Sequence, residues 1–253
     1  LINLMGLTLA MACHHGLVRA GWVLGQEPVV AVALTAVALL AAKSLLSVAA
    51  LRRFLPDTIW GELIRSGQAR DRTGQGTILV TDIRGYTSLS EKRTPVEVLE
   101  LLNQYHEETV ACYQRHGGSV LTYQGDAQLV VFGLIKRVSN PAREAVLAAL
   151  ELQQVVSRLR SRWNLSPSEN FDVGAGLCTG ILTVGLLSAG NQQQYTVLGE
   201  SVRRAHKVQS LSDLVGQSVL LDQATRNLCG DNPKLVQVPH DQPGIGPLFA
   251  PSQ

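Results

Sequence analysis

From Gly76 onward the apolar residues recur in two rhythms, and the order of those rhythms restricts the fold more than any other feature of the chain. ILVTDI reads as a buried strand. TPVEVLELLNQYHEETVACYQRHGG reads as a helix, with Thr94 as N-cap, Pro95 at the first helical position and Gly117 just past the end. SVLTY and AQLVVFG are strands joined at Gln124-Gly125-Asp126, and AREAVLAALELQQVVSRLRSRW is a second long helix, entered after Asn140-Pro141. FDVGAGLCTG is a strand running into a turn, and ILTVGLL reads as another. Strand, helix, strand, strand, helix, strand is the order of a ferredoxin-like (split βαβ) α+β fold, an antiparallel sheet with helices on one face. QQYTVL, the helix ESVRRAHKVQSLS, VGQSVLL and the helix DQATRNLC extend it, and the Pro- and Gly-rich residues 239–253 read as a loose tail.

The first 51 residues are of another kind, with only Arg19, Glu27 and Lys43 charged. VVAVALTAVALLAAKSLLSVAAL, from Val29 to Leu51, would reach roughly 34 Å as a helix, enough to cross a bilayer. Lys43 would snorkel toward the nearer headgroups. Leu1 to about Leu17 reads as a second span, so the expectation is a transmembrane hairpin over 1–51. Arg52 and Arg53, with Arg65, Arg70 and Arg72 behind them, place residues 52–253 in the cytoplasm, as part of a multi-pass protein of the inner (plasma) membrane. Residues 52–75 form a helical connector in which Ile59, Leu63 and Ile64 share a helical face, and 76–238 form the domain.

Charge and cysteine usage narrow the function classes. A net charge of +2 is too small to imply a nucleic-acid partner. The four cysteines are scattered without zinc spacing, as in a reducing compartment, and the adjacent Cys13-His14-His15 would not converge on one metal.

Two lone acids remain. Asp82 ends the first strand and Asp126 lies in the turn before the third, and these strands are neighbours in a split βαβ sheet. Spacing leaves two readings: two solvated turn acids, or carboxylates that meet at one sheet end. Two carboxylates with the backbone carbonyl of Ile83 are hard oxygen ligands suited to Mg²⁺ or Mn²⁺ beside a phosphate. The adjoining loop, Gly85-Tyr86-Thr87, supplies backbone N–H groups to a triphosphate, and Gly85 permits its close approach.

TDIRGYTSLSE and GGSVLTYQGDAQLVVFG resemble the two metal-aspartate signatures of class III nucleotidyl (adenylate/guanylate) cyclases. FDVGAGLCTGILTVGLL and QQYTVLGESVRRAHKV resemble two further segments of that family, in the same order, and the likeness runs from about Phe54 to Leu221. The hairpin and the FLPDTIWGEL connector also look like the lead-in of membrane-bound bacterial members. The resemblance implies a cyclase domain that pairs with a second such domain, and ATP or GTP as substrate with two Mg²⁺ or Mn²⁺ ions per site. One partner brings the metal aspartates, matched by Asp82 and Asp126. The other brings groups that read the base and stabilise the transition state, and here the chain departs from the family. The base-reading lysine falls at Thr122, the second base-reading position at Thr196, the ribose-positioning asparagine at Arg203 and the phosphate-binding arginine at Lys207. Lys207 keeps the charge and loses the bidentate fork. Two readings therefore stand side by side: an atypical active homodimer, or a chain that lends its aspartates to a heterodimer or serves as a regulatory scaffold.

Overall fold

The computed structural model describes residues 33, 35–44, 57–67, 70–165, 171–190, 192–231 and 233–252. The chain divides into two units, Leu1–Phe54 and Leu55–Gln253. Within the first, residues 35–44 are helical, and the rest of the expected hairpin lies outside the described residues. Among the described residues no helix is long and apolar enough to cross a membrane.

The second unit opens with α1 (Asp57–Ser66), whose Ile59 is fully buried. The helix stops where Gly67 donates its N–H to the Leu63 carbonyl at 2.8 Å. β1 (Arg72–Arg84) is followed by α2 (Tyr86–Glu91), α3 (Pro95–Arg115), β2 (Gly118–Gln124), β3 (Ala127–Phe132) and α4 (Pro141–Arg162). Then come β4 (Asp172–Ala189), β5 (Gln192–Leu198), α5 (Glu200–Leu214), β6 (Val219–Asp222), α6 (Gln223–Cys229), β7 (Leu235–Val238) and β8 (Leu248–Pro251). The sheet runs β2-β3-β1-β4-β6-β8-β7, with β5 on the remaining edge of β4. Its first four strands have the expected split βαβ order. The pairings are antiparallel except β4 with β6.

Local chemistry sets the helix starts. Thr94 makes a capping box on α3, its side chain accepting from the Glu97 N–H while the Glu97 carboxylate accepts from the Thr94 N–H at 2.8 Å. Asn140 caps α4 through the Arg143 N–H at 3.0 Å, with Pro141 first in the helix.

Three expectations need correction. The helices cover both faces of the sheet, not one. Leu79 of β1, Val130 of β3 and Val173, Ala175 and Leu177 of β4 pack with α3 and α4, whereas Ile78, Val80, Cys178 and Leu182 pack with Ala205, Val208 and Leu211 of α5. Alternation of side chains along a strand makes this two-sided core possible. Gly174, Gly176 and Gly180 let α5 approach: a Cβ on Gly176 would lie 2.5 Å from the Ala205 carbonyl oxygen. Second, FDVGAGLCTG and ILTVGLL form one strand, β4, with no turn at Gly180, which stays in register opposite Gly76. Third, the tail is not wholly loose: β8 pairs with β6 and β7, and Leu248 and Ala250 are buried.

Candidate functional site

The two acids meet through the ladder between β1 and β3. Thr81 pairs with Gln128, so the next residues outward on each side are Asp82 and the β2–β3 turn that carries Asp126. That turn is a two-residue loop closed by the Gln124–Ala127 pair, and Gly125 takes the left-handed φ of 67° that the tight hairpin demands. The Ile83 N–H donates to Asp126 Oδ2 at 3.3 Å. Burial raises the Asp82 carboxyl to about 6, and the Asp126 charge and a hydrogen bond between the two side chains push the same way. The Asp126 charge beside the half-buried Asp82 carboxyl makes this a place where a cation relieves repulsion. Among the described residues no group of three or more His, Cys, Asp or Glu is arranged to hold a metal ion. The donor set here is two carboxylates beside a backbone peptide, which fits a hard divalent ion better than zinc.

Beyond Asp82 the chain turns at Gly85, with φ of 76°, and enters α2 at Tyr86. No side chain caps this helix, so the N–H groups of Tyr86 and Thr87 start it without intrahelical partners. Arg84 points the other way: it donates to Ser212 Oγ at 2.9 Å and to the Gln217 carbonyl at 2.7 Å, and pairs with Asp213. It ties the acid-bearing end of β1 to the end of α5.

Beneath the acids lies a polar network that strand and helix periodicity did not foreshadow. Gln128 is buried in β3, on the face shared with Val130 and Phe132. Its amide contacts His106 Nδ1 at 2.7 Å, Thr109 Oγ1 at 2.8 Å and the Tyr113 hydroxyl at 2.8 Å, all on α3. The other imidazole nitrogen of His106, Nε2, is 3.1 Å from the Gly125 carbonyl. Burial lowers the His106 pKa, opposed by the Gly125 contact and the Asp126 charge. The available signal was a glutamine in an inward-facing position of an otherwise apolar strand.

The remaining predicted residues stand apart from the acids. Thr122 lies on β2 opposite Leu129, just after a register shift at Leu121, and is partly buried. Thr196, on β5, pairs with Gly185, whereas Asp82 pairs with Gly174 on the same strand. Those eleven residues of β4 correspond to roughly 36 Å of strand. Arg203 and Lys207 are exposed, one turn apart on the outer face of α5. Arg203 Nη2 is held by Glu200 Oε1 at 2.5 Å. Among the described residues no hydrogen bond or ion pair links Thr122, Thr196, Arg203 or Lys207 to Asp82 or Asp126. One chain thus presents a pair of neighbouring acids and, separately, a second set of polar groups.

Residues 69–233, about two thirds of the chain, match the family model described as the adenylate and guanylate cyclase catalytic domain. Adenylate cyclase 1 of Rhizobium meliloti is 27% identical over 181 residues, covering 70% of this chain and 27% of the relative. The chain spans about a quarter of that relative's length. Among solved structures, the adenylyl cyclase CyaB from P. aeruginosa superposes with a TM-score of 0.66 at 24% identity, covering 73% of this chain and 96% of that one. The guanylyl cyclase Cya2 superposes with a TM-score of 0.60 at 26% identity, covering 70% and 90%.

Proposed function

We propose a function from the premise that this chain belongs to the adenylate and guanylate cyclase catalytic-domain family. It is a nucleotidyl cyclase whose sites are assembled between two chains, turning ATP or GTP into the cyclic nucleotide and pyrophosphate. The observation that carries the reading is the meeting of Asp82 and Asp126 at the end of adjacent strands, with the Ile83 N–H on Asp126. Asp82, Asp126 and the Ile83 carbonyl would hold Mg²⁺ or Mn²⁺, which supplies Lewis-acid charge to a hydroxyl and to phosphate oxygens when bound. The 3′-hydroxyl oxygen bonds to the α-phosphorus as the bond to the bridging oxygen breaks, pyrophosphate leaves, and the hydroxyl proton passes to solvent. The N–H groups of Tyr86 and Thr87, exposed by the turn at Gly85, receive the triphosphate at the start of α2. Thr122 and Thr196 of the second chain hydrogen-bond the base, and its Lys207 offsets charge on the phosphates. Membrane attachment through residues 1–51, with the domain on the cytoplasmic side, is part of this proposal and is supported by the apolar run from Val29 to Leu51.

The test is cyclic nucleotide formation by the purified chain with Mn²⁺ and either ATP or GTP. Turnover is expected, falling on dilution as the dimer dissociates, with Asp82→Ala and Asp126→Ala each lower by about 100-fold or more. Turnover that survives Asp82→Ala sinks the metal assignment. A second reading, a chain that donates only its acid half, is favoured by the exposed pair between Arg203 and Glu200, which occupies one of the transition-state positions. In that case the chain alone is silent. Mixing with a cyclase domain lacking its own metal aspartates then restores activity, and Asp82→Ala abolishes it again.

A further inference from the structure

We infer that His106 is a positioning residue for the acid pair, holding the Gly125-Asp126 turn in place as a neutral imidazole with its proton on Nε2. The inference rests on the reading of Asp82 and Asp126 as metal-holding groups, and it deepens that reading by adding a residue from α3.

The tautomer is set by a chain of hydrogen bonds with one consistent direction. The Thr109 hydroxyl lies 2.9 Å from the Tyr105 carbonyl and 3.2 Å from the His106 carbonyl, and a carbonyl only accepts. The Thr109 proton is therefore committed to the backbone. Its oxygen must accept from Gln128, which orients the Gln128 amide with Nε2 toward Thr109 and Oε1 toward the Tyr113 hydroxyl. The same Nε2 then donates to His106 Nδ1. An Nδ1 that accepts leaves the ring proton on Nε2, and that proton points at the Gly125 carbonyl.

The ring itself has little room to move. It lies edge-on to Tyr123 at a centroid distance of 4.8 Å and tilted against Tyr105 at 5.2 Å. The carbonyl it holds belongs to the peptide that leads directly into Asp126. Asp126 is thus fixed at two points, its backbone by His106 of α3 and its carboxylate by the Ile83 N–H of β1. Gly125 has open space where a side chain would be, so packing at its own position does not restrain the turn and the hydrogen bond does. Groups of this kind behind a ligating side chain typically change metal affinity by about 10- to 100-fold when removed.

The experiment titrates the full chain with Mn²⁺ alone, reading free Mn²⁺ by its paramagnetic resonance signal, with folding checked by circular dichroism. His106→Phe keeps the ring packing and removes both nitrogens. His106→Gln restores an amide N–H of similar reach toward Gly125. The expected result is Mn²⁺ binding weakened about 10-fold or more in His106→Phe and within about threefold of the unsubstituted protein in His106→Gln. His106→Phe within twofold of the unsubstituted protein, or His106→Gln as weak as His106→Phe, overturns the inference. If His106→Phe does not fold, His106→Gln decides: near-normal binding supports the inference, and a tenfold loss overturns it. If the unsubstituted protein takes up no Mn²⁺, the metal reading itself fails. The imidazole ¹⁵N resonances of His106 then decide the positioning claim. A proton on Nε2 alone supports it, and a proton on Nδ1 or on both nitrogens overturns it.

Discussion

Replacing Gly176 by alanine tests whether α5 is seated on the sheet by the absence of side chains beneath it. The added Cβ would lie 2.5 Å from the Ala205 carbonyl oxygen and 2.7 Å from Gln209 Cα. Ordinary contact begins near 3.4 Å, so α5 must retreat by about 1 Å. With the Gln209 nitrogen at 2.3 Å, the nearest, all three obstructing atoms are helix backbone, which no rotamer change can move aside. The retreat would also loosen Ala205, Val208 and Leu211, which are buried against Ile78, Val80, Cys178 and Leu182. Overpacking of this kind costs about 1–3 kcal/mol, and with no flexible partner the upper end applies. For a domain of this size that corresponds to a melting temperature lower by roughly 6–12 °C. Scanning calorimetry on the full chain measures it, with Gly61→Ala as control. Gly61 lies in α1 with nothing within 4 Å of its added Cβ, and alanine there should stabilise by up to about 1 kcal/mol. A Gly176→Ala protein that melts within 2 °C of its parent would refute the close-approach argument.

Local features of the acid site and the helix and turn ends give three further expected outcomes. Because the folded Asp82 carboxyl titrates near 6 and an ordinary aspartate at 3.8, its contribution to stability is full below about pH 4 and is lost as pH rises through 6. In metal-free protein, Asp82→Asn should flatten the fall in melting temperature between pH 5 and 7.5, and Mn²⁺ should raise that temperature more at pH 7.5 than at pH 5. Equal pH dependence in both proteins would contradict this. Thr94→Ala removes the capping box of α3 and should cost about 1 kcal/mol in urea unfolding. Gly125→Ala meets no neighbour and bears only the strain of its left-handed backbone; the expected loss is about 1 kcal/mol, read as a shift of roughly 2–4 °C.

Strand and helix order were legible because each carries a local period, and the starts of α3 and α4 were legible because Thr94-Pro95 and Asn140-Pro141 are local signals. Asp82 and Asp126 were legible as a pair because they end strands that the split βαβ order makes neighbours. What escaped was set by distant partners. The second face of the sheet depends on where α5 packs, and the only trace of it was the glycine spacing at 174, 176 and 180, which reads equally well as turn propensity. β1 begins at Arg72 although RTGQGT carries no apolar alternation, because β4 pairs with it residue by residue up to Val184. β8 hides in a Pro-rich tail because its ladder is short and lies toward one end of the sheet. His106 and Gln128 are 22 positions apart, and neither has a neighbour in sequence that announces the other.

β4 carries one more implication. It pairs with β1 without interruption from Asp172 to Val184 and with β5 from Thr183 to Ala189, so two ladders share one strand. Asp82 is registered against one end and Thr196 against the other. A single-residue deletion between them would turn every later side chain to the opposite face. It would also shorten the separation of the two polar sets by about 3.3 Å. The segments between helices and strands can absorb changes in length. This strand acts as a ruler, and in the proposed two-chain site its residue count sets the spacing at which the second chain is met.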